Sequence, residues 1–538
     1  MRVTGLWSGH DASFCNLDNG IPTLHAELER YTREKEPAGD AIKFMMEVDP
    51  GWKSSRHFVT AHPAKKLQEH TQSYVQLAEH AEKVWTLGHH LCHAAHAFYS
   101  SHADRAIVLT FDGGGLEEGG QETATTSWIG DGTKLTSTGI YPMSKINVGG
   151  LWTRVTRYVF QLQSGWPLGH QAGTVMAMAA LGDPKKYIAD FRVMLRDHIV
   201  HASMKPASQP RGALVPGKDP RHPYLDKYAQ IASQSEQDKF DLAAGLQAAT
   251  EELVQQFISH QLWLHDDVEH LCIAGGVSLN SVCMGKIRDW FPKIKSLYIP
   301  PVPYDGGLCI GGAQYVWHSV MGNERISWDD NMSPYLGETY GLERVKSDLE
   351  KHSEDLDVKS ANDLDVAHLL DQQKIVAVFQ GGSESGRRAL GARSILADPR
   401  SADMKARVND KVKHRQWFRP FAPSFLREAV SEYFVRDEDS PYMGVVLKFR
   451  EEAARKVPAV VHFDGTARLQ TVTHKNGWYY QFIKTWKSVS GVPVVLNTSF
   501  NDREPICETP EHAIKCFLGT DIDHLYFPEH KILVGRRS

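Results

Sequence analysis

Residues 88–99, GHHLCHAAHAFY, concentrate more metal-binding chemistry than any other stretch of the chain. His89 and His93 stand four residues apart, so on a helix both imidazoles project from one face about one turn apart. That is the spacing a metal uses when it takes two ligands from one helix. Ala94, Ala95 and Ala97 favour the helix, and Phe98 and Tyr99 give it an apolar side to bury. His90 and His96 add further nitrogens, so spacing alone does not select the binding pair. The alternative is a histidine-rich helix whose rings bond to backbone and hold nothing. Asp305, in PYDGGLCIGGA, offers a carboxylate before paired glycines. Joined to the helix, it would complete a two-histidine, one-carboxylate site with open positions, a donor set that suits iron(II) and also fits zinc.

Other polar groups follow short apolar runs. Ser8-Gly9-His10-Asp11-Ala12-Ser13 follows residues 3–7. The lip of a sheet is where ligands bind in α/β folds. His10 has an intrinsic pKa near working pH, which suits a general base; the plainer alternative is a histidine closing a turn. Asp112-Gly113-Gly114-Gly115 follows residues 106–111, where a glycine turn would let backbone N–H groups approach a phosphate and Asp112 orient a metal or water. Gly275-Gly276-Val277-Ser278-Leu279-Asn280 has the same character, with Asn280 available to a ribose or a base.

Residues 386–419 carry ten lysines and arginines against three aspartates. A charge run is by default a solvated helix face. This one is bracketed by glycine turns and by Pro420-Phe421-Ala422-Pro423, which would rigidify and partly bury it. Buried arginines need anions, and phosphates meet that need. Aromatic residues are sparse in the run (Trp417, Phe418), so a polyphosphate is favoured over a nucleic acid.

These groups need a scaffold of strands feeding ligand loops. Residues 3–7, 106–111, 271–274 and 297–303 read as buried strands ending in glycine turns, and residues 238–265 as an amphipathic helix. Strand, glycine turn and helix in repetition imply an α/β architecture. Residues 201–225 are rich in Pro, Gly and basic side chains and read as a surface insertion. Periodicity lapses over residues 327–340, which sets the domain boundary there and divides the chain into 1–340 and 341–538. Beyond it, residues 343–352, 403–412 and 510–518 read as helices. Residues 375–380, 442–448, 459–463, 492–496 and 524–527 read as strands, so a second α/β domain is expected. No short-period repeat is visible.

A chain of 538 residues calls for two or three domains. Net charge of −5 argues against general nucleic-acid affinity. Seven scattered cysteines without a CxxC pair fit reduced thiols rather than a disulfide framework. No signal peptide and no run of 18 uncharged apolar residues is visible, so a soluble cytoplasmic protein without a membrane partner is expected.

Eight segments, in this order, carry a family resemblance. HHLCHAAHAFY, VLTFDGGG, AGGVSLNS and YDGGLCIGGA lie in the first part; RRALGARSILADPR, FRPFAPS, FDGTARLQTV and LNTSFNDREPI lie in the second. Over nearly its full length the chain resembles the O-carbamoyltransferases of antibiotic and nodulation-factor biosynthesis. The resemblance implies two coupled sites. The C-terminal domain is similar to the threonylcarbamoyl-adenylate synthases and would make carbamoyl-adenylate from carbamoyl phosphate and ATP with Mg2+, its ligands carrying over as Arg388, Lys413, Arg468 and Ser499. The N-terminal domain resembles the actin–hexokinase-type fold of the tRNA threonylcarbamoyl-transfer proteins. Its metal ligands fall on His89, His93 and Asp305, its proposed base on His10, and its adenylate site on Asp112, Gly113, Gly114, Gly275, Gly276 and Asn280. The implied partners are ATP, carbamoyl phosphate and a hydroxyl-bearing small molecule, and the chain is compatible with a homodimer.

The sequence departs from the family pattern where Arg387 replaces a proline commonly found there, at His96, and at Gln171 and Thr174. These bear on acceptor and fine geometry rather than reaction type. Two rivals remain: a small-molecule kinase of the actin–hexokinase fold, and a tRNA-modification or assembly protein binding nucleotide and a structural metal. The first would show kinase activity without carbamoyl phosphate; the second would retain tRNA or a protein partner on purification.

Overall fold

The computed structural model describes residues 1–61, 71–117, 119–162, 171–196, 223–326 and 333–537. Most of the proposed 201–225 insertion lies outside them. The chain divides into two compact units, one of Met1–Glu29 with Lys35–Met332, the other of Arg30–Glu34 with Ser333–Ser538. The division falls within the stretch 327–340 where periodicity lapses, and a five-residue segment from near the start of the chain belongs to the second unit.

The first unit holds two five-stranded sheets built alike. In one, Arg2–Trp7 pairs antiparallel with Ser13–Asp18, which pairs antiparallel with Ile21–Glu27; on its other side Arg2–Trp7 runs parallel to His57–Thr60, and that strand parallel to Lys83–Thr86. The second repeats the plan with Arg105–Leu116, Glu122–Asp131, Lys134–Pro142, His270–Ala274 and Ser296–Tyr298. This duplicated mixed sheet is the arrangement of the actin–hexokinase class. It is a repeat of topology, not of sequence period.

Two of the four expected N-terminal strands, 3–7 and 271–274, form close to their expected bounds, the 106–111 strand runs on to Leu116, and residues 297–303 supply only the short strand Ser296–Tyr298. The glycine run after Phe111 corrects the expected turn. Arg105–Leu116 continues as one strand through Asp112-Gly113-Gly114-Gly115, with its register shifting between Phe111 and Gly115. Glycines tolerate such a bulge, which re-aims a side chain without ending the strand. Helix Leu308–Tyr315 packs on helix His89–Tyr99 at very short range, since a Cβ on Gly311 would lie 1.9 Å from Cys92 O. Only glycine permits that approach, and it brings the turn preceding the second helix up to the histidines of the first.

The second unit is built on an eight-stranded mixed sheet. Its central strands include Val376–Phe379, Arg393–Ala397 and Val494–Ser499, with helices Asp363–Asp371, Trp478–Ser490 and Pro510–Leu518. Residues 459–463 correct another expectation. Pro458 starts a 3-10 turn, Pro458–Val460, and the backbone then turns at Asp464-Gly465 rather than forming a strand. The helix expected over residues 403–412 is α-helical only at Asp403–Val408. It widens to a π turn at Asn409–Lys413 and stops at His414, whose φ is +43°. Among the described residues no helix is long and apolar enough to cross a membrane.

Candidate active site

His89 and His93 lie on one face of helix His89–Tyr99, as their spacing requires, with ring centroids 4.8 Å apart. Asp112, in the neighbouring strand, places Oδ2 3.1 Å from His89 Nε2 and 3.2 Å from His93 Nε2. Asp305 begins the 3-10 turn Asp305–Gly307 before helix Leu308–Tyr315, and its Oδ1 lies 3.6 and 3.5 Å from the same two nitrogens. One ligand atom from each of the four residues falls within 4.8 Å of the others.

This set fits a divalent cation. Two imidazole nitrogens and two carboxylate oxygens are donors that iron(II), manganese and zinc accept. Asp112 is also held by its surroundings: Oδ1 accepts N–H bonds from Gly113 (2.8 Å) and Gly276 (3.2 Å), leaving Oδ2 turned to the histidines. Such outer contacts fix the orientation of a ligand and support its affinity for the metal. Burial opposes charge on Asp112, yet His89 and His93 hold its carboxyl well below the usual range. Burial likewise opposes charge on His93, while Asp112 and Asp305 raise it to about 9.

The same contacts revise two sequence expectations. Asp112 joins the metal donors rather than serving an adenylate alone, and the Gly113 and Gly276 amides expected to meet a phosphate are already donated to it. Asn280 spends its amide within the fold. Its Oδ1 caps helix Ser281–Trp290 through Cys283 N (3.1 Å), and its Nδ2 donates to Gln247 Oε1 (2.9 Å). Gly114 lies beside Met143 and bears no contact with the cluster among the described residues.

The two remaining histidines of the helix are settled elsewhere. His90 places Nδ1 2.7 Å from Thr110 Oγ1 and Nε2 2.9 Å from Thr123 O, and burial with the neighbouring His89 pushes its pKa down to about 3. His96 faces Gln314 Oε1 and Ser100 Oγ at 3.3 and 3.2 Å, and burial lowers it to about 3 as well. Both are packing residues here.

Gly115 is required beside the cluster, because a Cβ there would lie 2.2 Å from the His89 ring. Gly115→Ala is expected to displace that ring, cost about 1–3 kcal/mol of stability through overpacking, and lower bound metal per chain. Thermal melting and metal analysis check both effects.

His10 stands at the edge of this cluster. Its backbone carbonyl accepts from Trp7 Nε1 at 2.7 Å, and Asp11, at φ +60°, turns the chain so that its carboxylate reaches back. Aspartate is among the residues that tolerate this left-handed region. His10 Nδ1 lies 2.9 Å from Asp11 Oδ2, and Nε2 lies 3.2 Å from Asp305 Oδ2. Burial opposes a charge on His10, but Asp305, Asp11 and Asp112 outweigh it and raise the pKa to about 10.

In the second unit the basic run divides into two groups. Arg393 is fully buried, lies 3.5 Å over the Phe379 ring and donates to the Gln380 and Gly381 carbonyls. Arg400 pairs with Asp398 and Asp371, and Arg407 with Asp523. Those three charges serve the fold. Lys413, carried by the π turn, donates to Ser499 O (2.9 Å), Ser499 Oγ (3.4 Å), Asn501 O (2.6 Å) and Asn501 Oδ1 (2.7 Å). Arg468 lies close enough to Arg388, Arg419 and Arg415 that burial first, and then their like charge, push its pKa well below the usual guanidinium value. Its Nε is buried with no hydrogen-bond partner among the described residues. Crowded buried cations are costly unless an anion joins them. Arg415 and Arg419 carried no signal beyond the density of the basic run, and Asn501 none beyond its place in the segment LNTSFNDREPI.

By sequence the chain is similar to known proteins. Residues 62–314 match the family model described as carbamoyltransferase N-terminus, and residues 367–533 match carbamoyltransferase C-terminus. The chain is 33% identical over 456 residues to nodulation protein NolO of Bradyrhizobium diazoefficiens, covering 82% of this chain and 77% of that protein. It is 36% identical over 475 residues to an uncharacterized protein of Synechocystis, covering 81% and 74% of the two. The chain belongs to the carbamoyltransferase family. Among solved structures, HypF of T. kodakarensis overlaps 60% of this chain and 48% of its own, at a TM-score of 0.36 and 13% identity, a likeness too slight to bear on function.

Proposed function

We propose that the protein is an ATP-dependent O-carbamoyltransferase with two centres. In the C-terminal unit, ATP, carbamoyl phosphate and water yield carbamoyl-adenylate with release of phosphate and pyrophosphate. In the N-terminal unit, the carbamoyl group moves to a hydroxyl of a small-molecule acceptor and AMP departs. The observation that carries this reading, within the carbamoyltransferase family, is the His10 imidazole 3.2 Å from a carboxylate of the four-donor cluster.

Arg388, Lys413, Arg468 and the Ser499 hydroxyl bind the phosphates of ATP and carbamoyl phosphate, neutralising charge that grows as pyrophosphate leaves. Mg2+ accompanies the nucleotide. His89, His93, Asp112 and Asp305 would hold a divalent metal, iron(II) being the favoured candidate, which would supply Lewis acidity. Asp11 keeps the His10 ring oriented through Nδ1. His10 Nε2 takes the acceptor proton as the acceptor oxygen bonds to the carbamoyl carbon and the bond to AMP breaks. Gly113 and Gly276 act through Asp112, whose carboxylate their amides hold in place. The acceptor is a sugar or another hydroxyl-bearing small molecule.

Incubating the protein with ATP, carbamoyl phosphate and candidate acceptors should yield a product heavier by one carbamoyl group. His10→Ala is expected to slow that transfer by about 10²–10⁴-fold while pyrophosphate release persists. Loss of both steps in the variant would remove His10 from the transfer role.

A further inference from the structure

Arg30–Glu34 lies near the start of the sequence yet belongs to the C-terminal unit. Arg33 donates from Nη1 to Ile506 O (2.8 Å) and from Nη2 to Pro505 O (2.5 Å), with Glu504 Oε1 3.8 Å from its guanidinium. Arg30, almost fully buried, donates from Nη2 to Glu384 O (2.8 Å) and Gly386 O (2.6 Å). These four carbonyls belong to two loops. The first loop contains Asn501, whose side chain takes the Lys413 ammonium and whose Nδ2 donates to Glu504 O at 2.6 Å. The second leads directly into Arg387 and Arg388.

One short segment therefore grips both loops that bear the anion-binding groups. Its backbone is strained in doing so: Arg33 has φ +61° and Glu36, just past the segment, has φ +55°. Neither residue is a glycine or asparagine, the types that enter this region readily. Backbone of this kind persists where surrounding contacts over-determine it, and it clusters at functional sites. The guanidinium fork suits the task, because its planar N–H groups bind two neighbouring carbonyls at once, which a lysine ammonium on a flexible stem matches poorly.

We propose that Arg33, assisted by Arg30, is a positioning residue for adenylate formation: it holds the Asn501–Ile506 loop so that Lys413 stays in register with the phosphates. The inference rests on the adenylate-forming role proposed above. Arg33 touches no reactant. It acts through Pro505 and Ile506 on Asn501, and through Asn501 on Lys413. A shift of about 1 Å in a group that orients reactants costs up to about 100-fold in rate.

The test uses the full chain with Arg33→Ala and Arg33→Lys. In Arg33→Ala, KM for ATP or carbamoyl phosphate in pyrophosphate release should rise about tenfold or more, with kcat changed less. Backbone amides of residues 500–507 should exchange with deuterium faster, while exchange in the N-terminal unit stays as in the parent. Arg33→Lys should fall between the two, and it also covers the case in which the alanine variant folds poorly. Unchanged exchange at 500–507, or faster exchange with unchanged KM values, would overturn the proposal. Failure of the parent to form carbamoyl-adenylate would instead count against the proposed function. The exchange measurement would then still decide whether Arg33 holds the loop.

Discussion

Lys413→Met is expected to cut carbamoyl-adenylate formation by about a thousandfold, the loss of some 4 kcal/mol of charge stabilisation. Lys413 is buried, with 5% of its surface exposed, and its ammonium is held by the Ser499 hydroxyl and the Asn501 side chain. Methionine keeps the length and apolar stem while removing the charge. It also deprives acceptors on half-buried Ser499 and buried Asn501 of a donor, a cost of about 1–3 kcal/mol, so the melting temperature should fall as well. The decisive measurement is pyrophosphate release from ATP and carbamoyl phosphate, made below the melting transition. If chemically prepared carbamoyl-adenylate is supplied, transfer by this variant should proceed at the parent rate. Adenylate synthesis at the parent rate would remove Lys413 from that site.

The second large effect is the mirror image. His93→Ala removes one of four donors and is expected to reduce bound metal and to slow carbamoyl transfer by about a thousandfold, with pyrophosphate release spared. Metal content per chain, product mass and pyrophosphate are three separate readings of one sample. Transfer at the parent rate in a metal-depleted variant would exclude the cluster from the reaction. Together with Lys413→Met, the pair separates the two steps, because each variant should lose what the other keeps.

Much of the N-terminal site could be read in advance because its chemistry follows local periodicity. The four-residue step from His89 to His93 is a helical property, and Asp305 and His10 follow apolar runs that bury as strands or strand ends. Asp112 was harder to place. Three glycines after Phe111 read as a turn, whereas the strand carries on through a bulge that aims the carboxylate at the helix. The basic run misleads in a different way. Composition counts Arg393, Arg400 and Arg407 alongside Lys413, and only packing shows that the first three bind carbonyls and aspartates. Residues 459–463 carry β-branched and aromatic side chains, but Pro458 and the Asp464-Gly465 turn override that local preference. The duplicated sheets have no sequence period to announce them and were reached only through the resemblance to the actin–hexokinase-type fold, while the membership of Arg30–Glu34 in the second unit left no trace at all.

The doubled sheet plan has a thermodynamic consequence. Helix His89–Tyr99 follows the last strand of the first sheet, while Asp112 sits in the first strand of the second, so the donor cluster draws on both halves of the unit. An ion bound only by the native state adds RT ln(1 + [ion]/Kd), about 2.7 kcal/mol at a hundred times Kd. Were such an ion to fill the cluster, its supply would set how long the folded chain survives, apart from any chemistry the site performs.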